Sequence, residues 1–124
     1  MNCNCGSSKS YQDCCGIYHE QPNLAKTAEA LMRSRYCAYT LHNADYIYET
    51  TLPKERNRLN KIDILRWVKE NKWMGLEIVS ATKDTVEFKA HYLDLKFNPT
   101  VHHELSLFKK VNGQWYYVSG KFIQ

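Results

Sequence analysis

The chain has 124 residues, which is enough for one domain with a small appendage. Hydrophobic residues make up 44% and charged residues 24%, as in a soluble globular protein, and no run approaches the roughly 18 apolar residues of a membrane-spanning helix. The net charge of +4 is modest and basic residues alternate with acidic ones, which disfavours a dedicated nucleic-acid binder. Met1 is not followed by a charged and then apolar leader, so we expect a cytoplasmic protein with reduced thiols.

The first twenty residues are rich in Cys, Ser and Gly and contain little that could be buried. They cannot form a hydrophobic core of their own. The Gln-Pro-Asn triplet at 21–23 then interrupts the chain, as such residues do at loops. We therefore predict a small module over residues 1–20 and a larger domain over residues 24–124.

Two helices are predicted in the first half of the larger domain. A long amphipathic helix should begin after a cap at Asn23 or Thr27 and end before Pro53. Its apolar residues recur every three or four positions: Ala28, Leu31, Met32, Tyr36, Tyr39, Tyr46 and Ile47. A shorter helix is predicted over residues 61–71, with Asp63 near its positive N-terminal end.

The second half of the domain has the period of two that is typical of strands. Four strands are predicted, over residues 73–80, 85–93, 101–111 and 114–123. In the first of them Met74, Leu76 and Ile78 should share one face. Asn112-Gly113 is a strong hairpin signal because both residues tolerate positive φ. Helices followed by about four antiparallel strands predict an α+β fold.

Four of the five cysteines fall within thirteen positions: Cys3, Cys5, Cys14 and Cys15. Disulfides, reactive thiols and metal binding are the three alternatives. Disulfides need an oxidising compartment, and a bond between two neighbours would be strained. Reactive thiols usually occur as C-x-x-C or as a single Cys with a distant His. Four thiolates match the closed tetrahedral shell of one structural Zn²⁺, so this pattern favours zinc binding.

Other residues near the cluster have predicted roles. Gly6 and Ser7 suit a tight turn between the cysteines, and Lys9 is the local cation that would offset the negative charge of four thiolates around zinc. His19, four residues after the last cluster cysteine, is an alternative ligand. Cys37 lies in the predicted long helix, away from the cluster, and we interpret it as a small buried hydrophobic residue.

The cysteine stretch resembles the SEC-C motif, C-x-C-G-S-G-K-x-Y-x-x-C followed by C or H, a zinc-binding module also found in the SecA translocation ATPase. The match includes the four cysteines, Gly6, Ser7, Lys9 and Tyr11. The chain departs from the motif at Asn4, where proline is common, and at Ser8, where glycine is usual. "MRSRYCAYTLHNADYIYET", "HHELSLF" and "NGQWYYVSG" are similar to the YchJ family. That resemblance implies a SEC-C module before a nuclear-transport-factor-2-like cone, in which a curved sheet wraps a long helix.

The resemblance to the SecA module implies a non-catalytic interaction or adaptor protein whose partner is a protein, either a SecB-like chaperone or the ribosome. The candidate partner-binding residues lie next to the cysteines: Lys9, Tyr11, Ile17 and Tyr18. Relatives with this fold often dimerise through the sheet, so a homodimer is also expected.

The alternative is a small-molecule binder or enzyme that uses the cone. Its candidate pocket residues are Arg35, Tyr36, Tyr39, His102 and Glu104. Strand alternation puts His102 and Glu104 on one face, where they suit either acid–base work or a structural hydrogen bond. A buried Arg35 would need Glu104, Asp45 or a bound anion as its partner. An open cone would favour this alternative, and a cone filled by aromatic side chains would disfavour it. A third hypothesis is nucleic-acid binding through the basic residues of 54–66.

Overall fold

The computed structural model describes residues 2–123. Within them, four helices precede a four-stranded antiparallel sheet: α1 (Cys15–Glu20), α2 (Ala28–Thr40), α3 (Ala44–Glu49), α4 (Lys61–Glu70), β1 (Lys72–Ala81), β2 (Thr85–Leu93), β3 (Pro99–Val111) and β4 (Gln114–Phe122). Short 3₁₀ turns occupy Tyr11–Asp13, Pro22–Leu24 and Pro53–Arg58. Each strand pairs with the next one along the chain, in the order β1-β2-β3-β4. The predicted α+β class is confirmed.

The predicted long helix is in fact two helices, α2 and α3. The chain turns at 41–43, where His42 adopts a φ of 59° and the side chain of Asn43 accepts a hydrogen bond from the Tyr46 N–H to cap α3. The apolar pattern continues across this break because Tyr46 and Ile47 return to the same core as α2. Periodicity alone therefore gave no sign of the turn.

The cap predicted for the first helix is at Thr27. Its side chain accepts a hydrogen bond from the Ala30 N–H, which satisfies one of the free donors at the start of α2. Asn23, the other candidate, lies in the preceding 3₁₀ turn. The shorter helix matches the prediction within one residue, and Asp63 lies in its first turn.

The strands follow the prediction closely, with one local correction. Asn112 and Gly113 have φ values of 50° and 82°, as the hairpin signal requires. Met74, however, is 57% exposed and, contrary to the prediction, does not lie on the inner face with Leu76 and Ile78. A register shift between Trp73 and Gly75 turns it outward, while Leu76 packs against the core.

The main core lies between α2, α4 and the inner face of the sheet. Its fully buried large side chains are Leu31, Met32, Tyr36, Val68, Val86, Phe88 and Phe108. Burying each of these stabilises the fold by roughly 1.5–3 kcal/mol relative to exposure. Among the described residues there is no helix with the length and apolar content needed to cross a bilayer.

Candidate metal centre

Four sulfur atoms converge at the amino-terminal end of the molecule. The Sγ atoms of Cys3, Cys5, Cys14 and Cys15 all lie within 4.8 Å of one another. The Cys5–Cys14 separation is 3.6 Å and the Cys14–Cys15 separation is 4.0 Å. Sulfurs bound to one tetrahedral ion at about 2.3 Å are about 3.8 Å apart. The cluster therefore fits a single metal ion, and its four sulfurs would fill a four-coordinate shell.

Two short turns bring these sulfurs together. The first carries two positive φ values, 86° at Gly6 and 70° at Ser8, and is closed by a 2.7 Å hydrogen bond from the Cys3 N–H to the Lys9 carbonyl. The second is the 3₁₀ turn Tyr11–Asp13, after which α1 begins at Cys15. Ser8 thus adopts the left-handed conformation that glycine adopts more readily.

The sulfurs differ in protonation chemistry. Hydrogen bonds from Cys15 and Cys37 lower the pKa of the Cys5 thiol despite its burial. Burial raises the pKa of the Cys14 thiol. The Ser7 hydroxyl donates to Cys14 Sγ at 3.1 Å. Since metals bind thiolates, the metal must displace protons, and affinity should fall in acid.

The cation built against the cluster is Arg33, which the sequence analysis did not assign. Its Nη1 donates to the Cys5 carbonyl at 2.8 Å and its Nε pairs with Glu29 at 2.9 Å. Lys9, the predicted cation, is an exposed residue of the first turn. Arg33 comes from α2, so no local spacing near the cysteines reveals it.

The alternative ligand His19 does not belong to the sulfur cluster. Its Nε2 lies 2.7 Å from the Ser34 carbonyl, which only accepts, so the proton is on Nε2. Nδ1 then accepts from the Tyr11 hydroxyl at 2.6 Å. Burial lowers the pKa of His19, which favours this neutral form. Nε2 thus joins α1 to α2, and Nδ1 joins α1 to the preceding 3₁₀ turn, so neither nitrogen is free to bind a metal.

Cys37 lies beside the cluster, contrary to the prediction that placed it away from it. Its Sγ is 3.3 Å from the Sγ of Cys3, and its side chain belongs to the same buried group as Cys5 and Cys15. The prediction was wrong because α2 packs directly under the cysteine module. The interpretation as a buried residue is correct, since Cys37 is 0% exposed.

The predicted partner-binding residues have different environments. Lys9 and Ile17 are exposed, whereas Tyr11 is half-buried. Tyr18 is also partly buried and packs against the main core. A shallow depression of about 250 Å³ runs beside α1, and its lining includes Tyr11, Ile17 and Leu24. Whether these residues bind a partner stays a prediction.

The predicted pocket residues converge, but in the interior. Glu104 accepts hydrogen bonds from His102 at 2.8 Å, Ser106 at 2.5 Å and Tyr117 at 3.0 Å. His103 points to the opposite face and pairs with Glu87 at 2.8 Å, so the predicted alternation is correct. The arrangement is a structural hydrogen-bond network around a carboxylate that is only 8% exposed.

The predicted ion pair of Arg35 is absent from the described residues. Its Nη1 donates to the Ile47 carbonyl at 2.9 Å and the Thr50 hydroxyl at 2.7 Å, and its guanidinium stacks on Tyr117 at 4.3 Å. The negative end of α3 therefore replaces a carboxylate as its partner. Asp45 instead pairs with Lys61 at 3.0 Å.

Aromatic side chains fill the cone around these groups. The ring of Tyr36 lies 6.2 Å from that of Trp73, and the ring of Tyr39 lies 5.2 Å from it. Tyr36 is 1% exposed and Tyr39 is 9% exposed. This filling disfavours the enzyme or small-molecule alternative.

The basic stretch 54–66 is largely neutralised by neighbouring acids. Its ion pairs are Arg58 with Glu55, Lys61 with Asp45 and Arg66 with Asp63. Arg56 donates to the backbone carbonyls of Glu49 and Thr51. The nucleic-acid hypothesis gains no support from this distribution of charge.

Fold and cysteine cluster together define a small α+β protein with a cysteine module at its amino-terminal end. The family model described as "YchJ, middle NTF2-like domain" matches residues 27–120. The chain therefore belongs to the YchJ family. The predicted nuclear-transport-factor-2-like fold with an amino-terminal cysteine module is confirmed, whereas the exact division into 1–20 and 24–124 stays a prediction.

Solved structures and relatives agree with this membership. A SEC-C motif containing protein from Rhodopseudomonas palustris, solved in solution, is 40% identical with a TM-score of 0.90, over 100% of both chains. One from Psychrobacter arcticus, solved by crystallography, is 34% identical with a TM-score of 0.82, over 100% of this chain and 84% of that one. UPF0225 proteins are 41% identical in Actinobacillus succinogenes, over 94% of this chain and 79% of that protein, and 40% in Streptomyces coelicolor, over 98% and 95%.

Proposed function

We propose that the protein binds one structural Zn²⁺ through its four clustered cysteines and acts as a non-catalytic interaction protein. The observation that carries the proposal is the set of four sulfurs within 4.8 Å of one another. A site with four thiolate ligands is typical of zinc and leaves no position for water or substrate. Bound there, zinc supplies cross-linking of the two turns and no Lewis-acid chemistry.

The chain's own residues fix the module against α2. The Asn4 amide donates to the Thr40 hydroxyl at 3.0 Å, and Arg33 and His19 contribute the hydrogen bonds described above. Four thiolates and Zn²⁺ carry a charge of about −2, which Arg33 partly offsets. The metal would thus organise a module that is held on the domain at several points.

The surface beside the metal suits a protein partner. Ile17 is 41% exposed and Leu24 is 39% exposed, and both line the depression next to α1. Exposed aliphatic side chains around a rigid concave site are typical anchors for another protein. By the SEC-C resemblance, we expect a SecB-like chaperone or the ribosome as the partner.

Elemental analysis tests the zinc part of the proposal. Untagged wild-type protein should contain about one zinc per chain, and Cys5→Ser should lose most of it because it removes one of the four sulfurs that form the site. Cys37→Ser is the matched control and should keep its zinc. Wild-type protein free of transition metal, with its thiols reactive, would refute the zinc site.

Binding measurements with a purified SecB-like chaperone and with ribosomes test the partner. Ile17→Asp should abolish the interaction, because it replaces an exposed aliphatic side chain of the depression with a charge. Leu107→Asp is a control of equal exposure, since Leu107 is 42% exposed on β3, away from the module. Equal binding by both variants, or no binding of wild type to either partner, would contradict the adaptor role as stated.

A further inference from the structure

A fifth cysteine sulfur, that of Cys37 in α2, lies against the cysteine module and is not one of the four proposed zinc ligands. Cys37 Sγ lies 3.3 Å from Cys3 Sγ, and Cys37 packs in one buried group with Cys5 and Cys15. Three of the four clustered cysteines therefore share one buried group with Cys37, and Cys3 is in direct contact with it.

The remaining ligand, Cys14, has the opposite environment. It is partly exposed and receives the Ser7 hydroxyl hydrogen bond, whereas Cys37 is 0% exposed and comes from α2 beneath the module. The three buried sulfurs thus share their surroundings with a partly exposed thiol, Cys14, and with a buried thiol from α2, Cys37. Sulfurs that share one tetrahedral ion lie about 3.8 Å apart, so Cys37 Sγ, at 3.3 Å from Cys3 Sγ, is close enough to share a metal with Cys3.

We propose that Cys37 is a reserve metal ligand, which completes the four-thiolate shell with Cys3, Cys5 and Cys15 when Cys14 is lost. The inference rests on the proposed zinc site. In the exchange, the Cys37 thiol releases its proton to solvent as its sulfur bonds the metal. As the bond from Cys14 to the metal breaks, the Cys14 sulfur forms its new bond either to a proton or to the electrophile that modifies it, so the shell again holds four thiolates.

The reserve ligand would protect the site where it is most accessible. An exposed thiolate is the one that electrophiles and oxidants reach first, and Cys14 is the most exposed of the four. Without a reserve, its loss would leave three thiolates and a position open to water. With Cys37 available, the metal and the docking of the module on α2 are retained.

Cobalt substitution tests the inference on the full chain, since thiolate-to-Co²⁺ charge-transfer absorption increases with the number of bound sulfurs. Wild type, Cys37→Ser and Cys14→Ser should each give the absorption of four thiolates. Cys14→Ser/Cys37→Ser should give that of three. In competition with a chelator, the double variant should bind Co²⁺ at least about tenfold more weakly than wild type. Losing even a group that only orients a metal ligand costs that much affinity.

A three-thiolate spectrum from Cys14→Ser would overturn the inference, because Cys37 would then have failed to replace the lost ligand. This result can be interpreted without the double variant. Loss of a thiolate from Cys37→Ser alone would also overturn it, by making Cys37 a permanent ligand. If the double variant fails to fold, Cys14→Ser/Cys37→Ala replaces it, with circular dichroism to confirm folding. Failure of the zinc site itself is distinguishable, because wild type would then lack the four-thiolate spectrum.

Discussion

Ser8 carries a strained backbone conformation at the turn that presents the first two cysteines. Its φ is 70°, which costs a residue with a side chain roughly 1–2 kcal/mol. Ser8→Gly should raise the free energy of unfolding by about 0.5–1 kcal/mol, because glycine removes that strain but adds flexibility to the unfolded chain. Chemical denaturation measures the change.

Ser10→Gly is the matched control for that substitution. Ser10 has an ordinary φ of −66° and its side chain accepts a hydrogen bond from the Asp13 N–H. Glycine there should destabilise the protein. A stability loss in Ser8→Gly as well would mean that the turn does not depend on the backbone strain at residue 8.

Glu104 should make stability depend on pH. Burial acts to raise its pKa, but hydrogen bonds from His102 and Ser106 outweigh it and the pKa is lowered. Because the pKa of Glu104 is lower in the folded than in the unfolded state, its carboxylate contributes fully to stability at pH values above the unfolded-state pKa of about 4.3. This contribution is lost as the pH falls through the folded-state pKa. The free energy of unfolding should therefore drop in that acidic range.

Glu104→Gln should flatten this part of the pH profile and cost about 1.5–3 kcal/mol at neutral pH, the value of hydrogen bonds to a charged group. Glu77→Gln is the control, because Glu77 is 56% exposed and pairs with His91 only at 3.6 Å. Parallel profiles for wild type and Glu104→Gln would rule out Glu104 as the source of the acid dependence. Urea titrations at a series of pH values supply the data.

At the level of elements, the separation of α2 from α3 depends on a cap. Asn43 accepts the Tyr46 N–H and starts α3 after the turn at His42. Asn43→Ala should lower the free energy of unfolding by about 1 kcal/mol. Asn57→Ala, at an exposed position of a 3₁₀ turn, should change it little. Equal effects in thermal unfolding would argue against the capping role.

The sequence was informative where a signal is local. The Asn112-Gly113 turn and the convergence of four cysteines are each predicted from a few residues and match the structure, as does the strand alternation apart from Met74. The break at 41–43 left no trace because the apolar period resumes in α3. The spacing of apolar residues indicates which residues are buried. It does not indicate whether those residues belong to one helix or to two.

The parts of the site that escaped prediction come from one face of α2. Arg33, Cys37 and Thr40 are spaced four and three residues apart, so they share a helix face, and all three contact the module. Their spacing was the one available signal. It was hidden because α2 is buried on both sides, against the sheet and against the cysteines.

For the whole molecule, these contacts make the module and the cone interdependent. Removing the metal with a chelator should increase amide hydrogen exchange in residues 3–20 and also in the module-facing part of α2, because both lose their packing. Exchange in β2 should stay slow, since its buried residues pack on the opposite side of α2. Exchange that increases in the module alone would indicate an independent appendage.

The central claim is that four cysteine sulfurs of one chain hold a single zinc ion. X-ray absorption at the zinc edge of the purified wild-type protein tests it most directly. We expect four sulfur neighbours at about 2.3 Å and no nitrogen or oxygen neighbour. A shell that includes nitrogen or oxygen at about 2.0–2.1 Å, or fewer than four sulfurs, would contradict it.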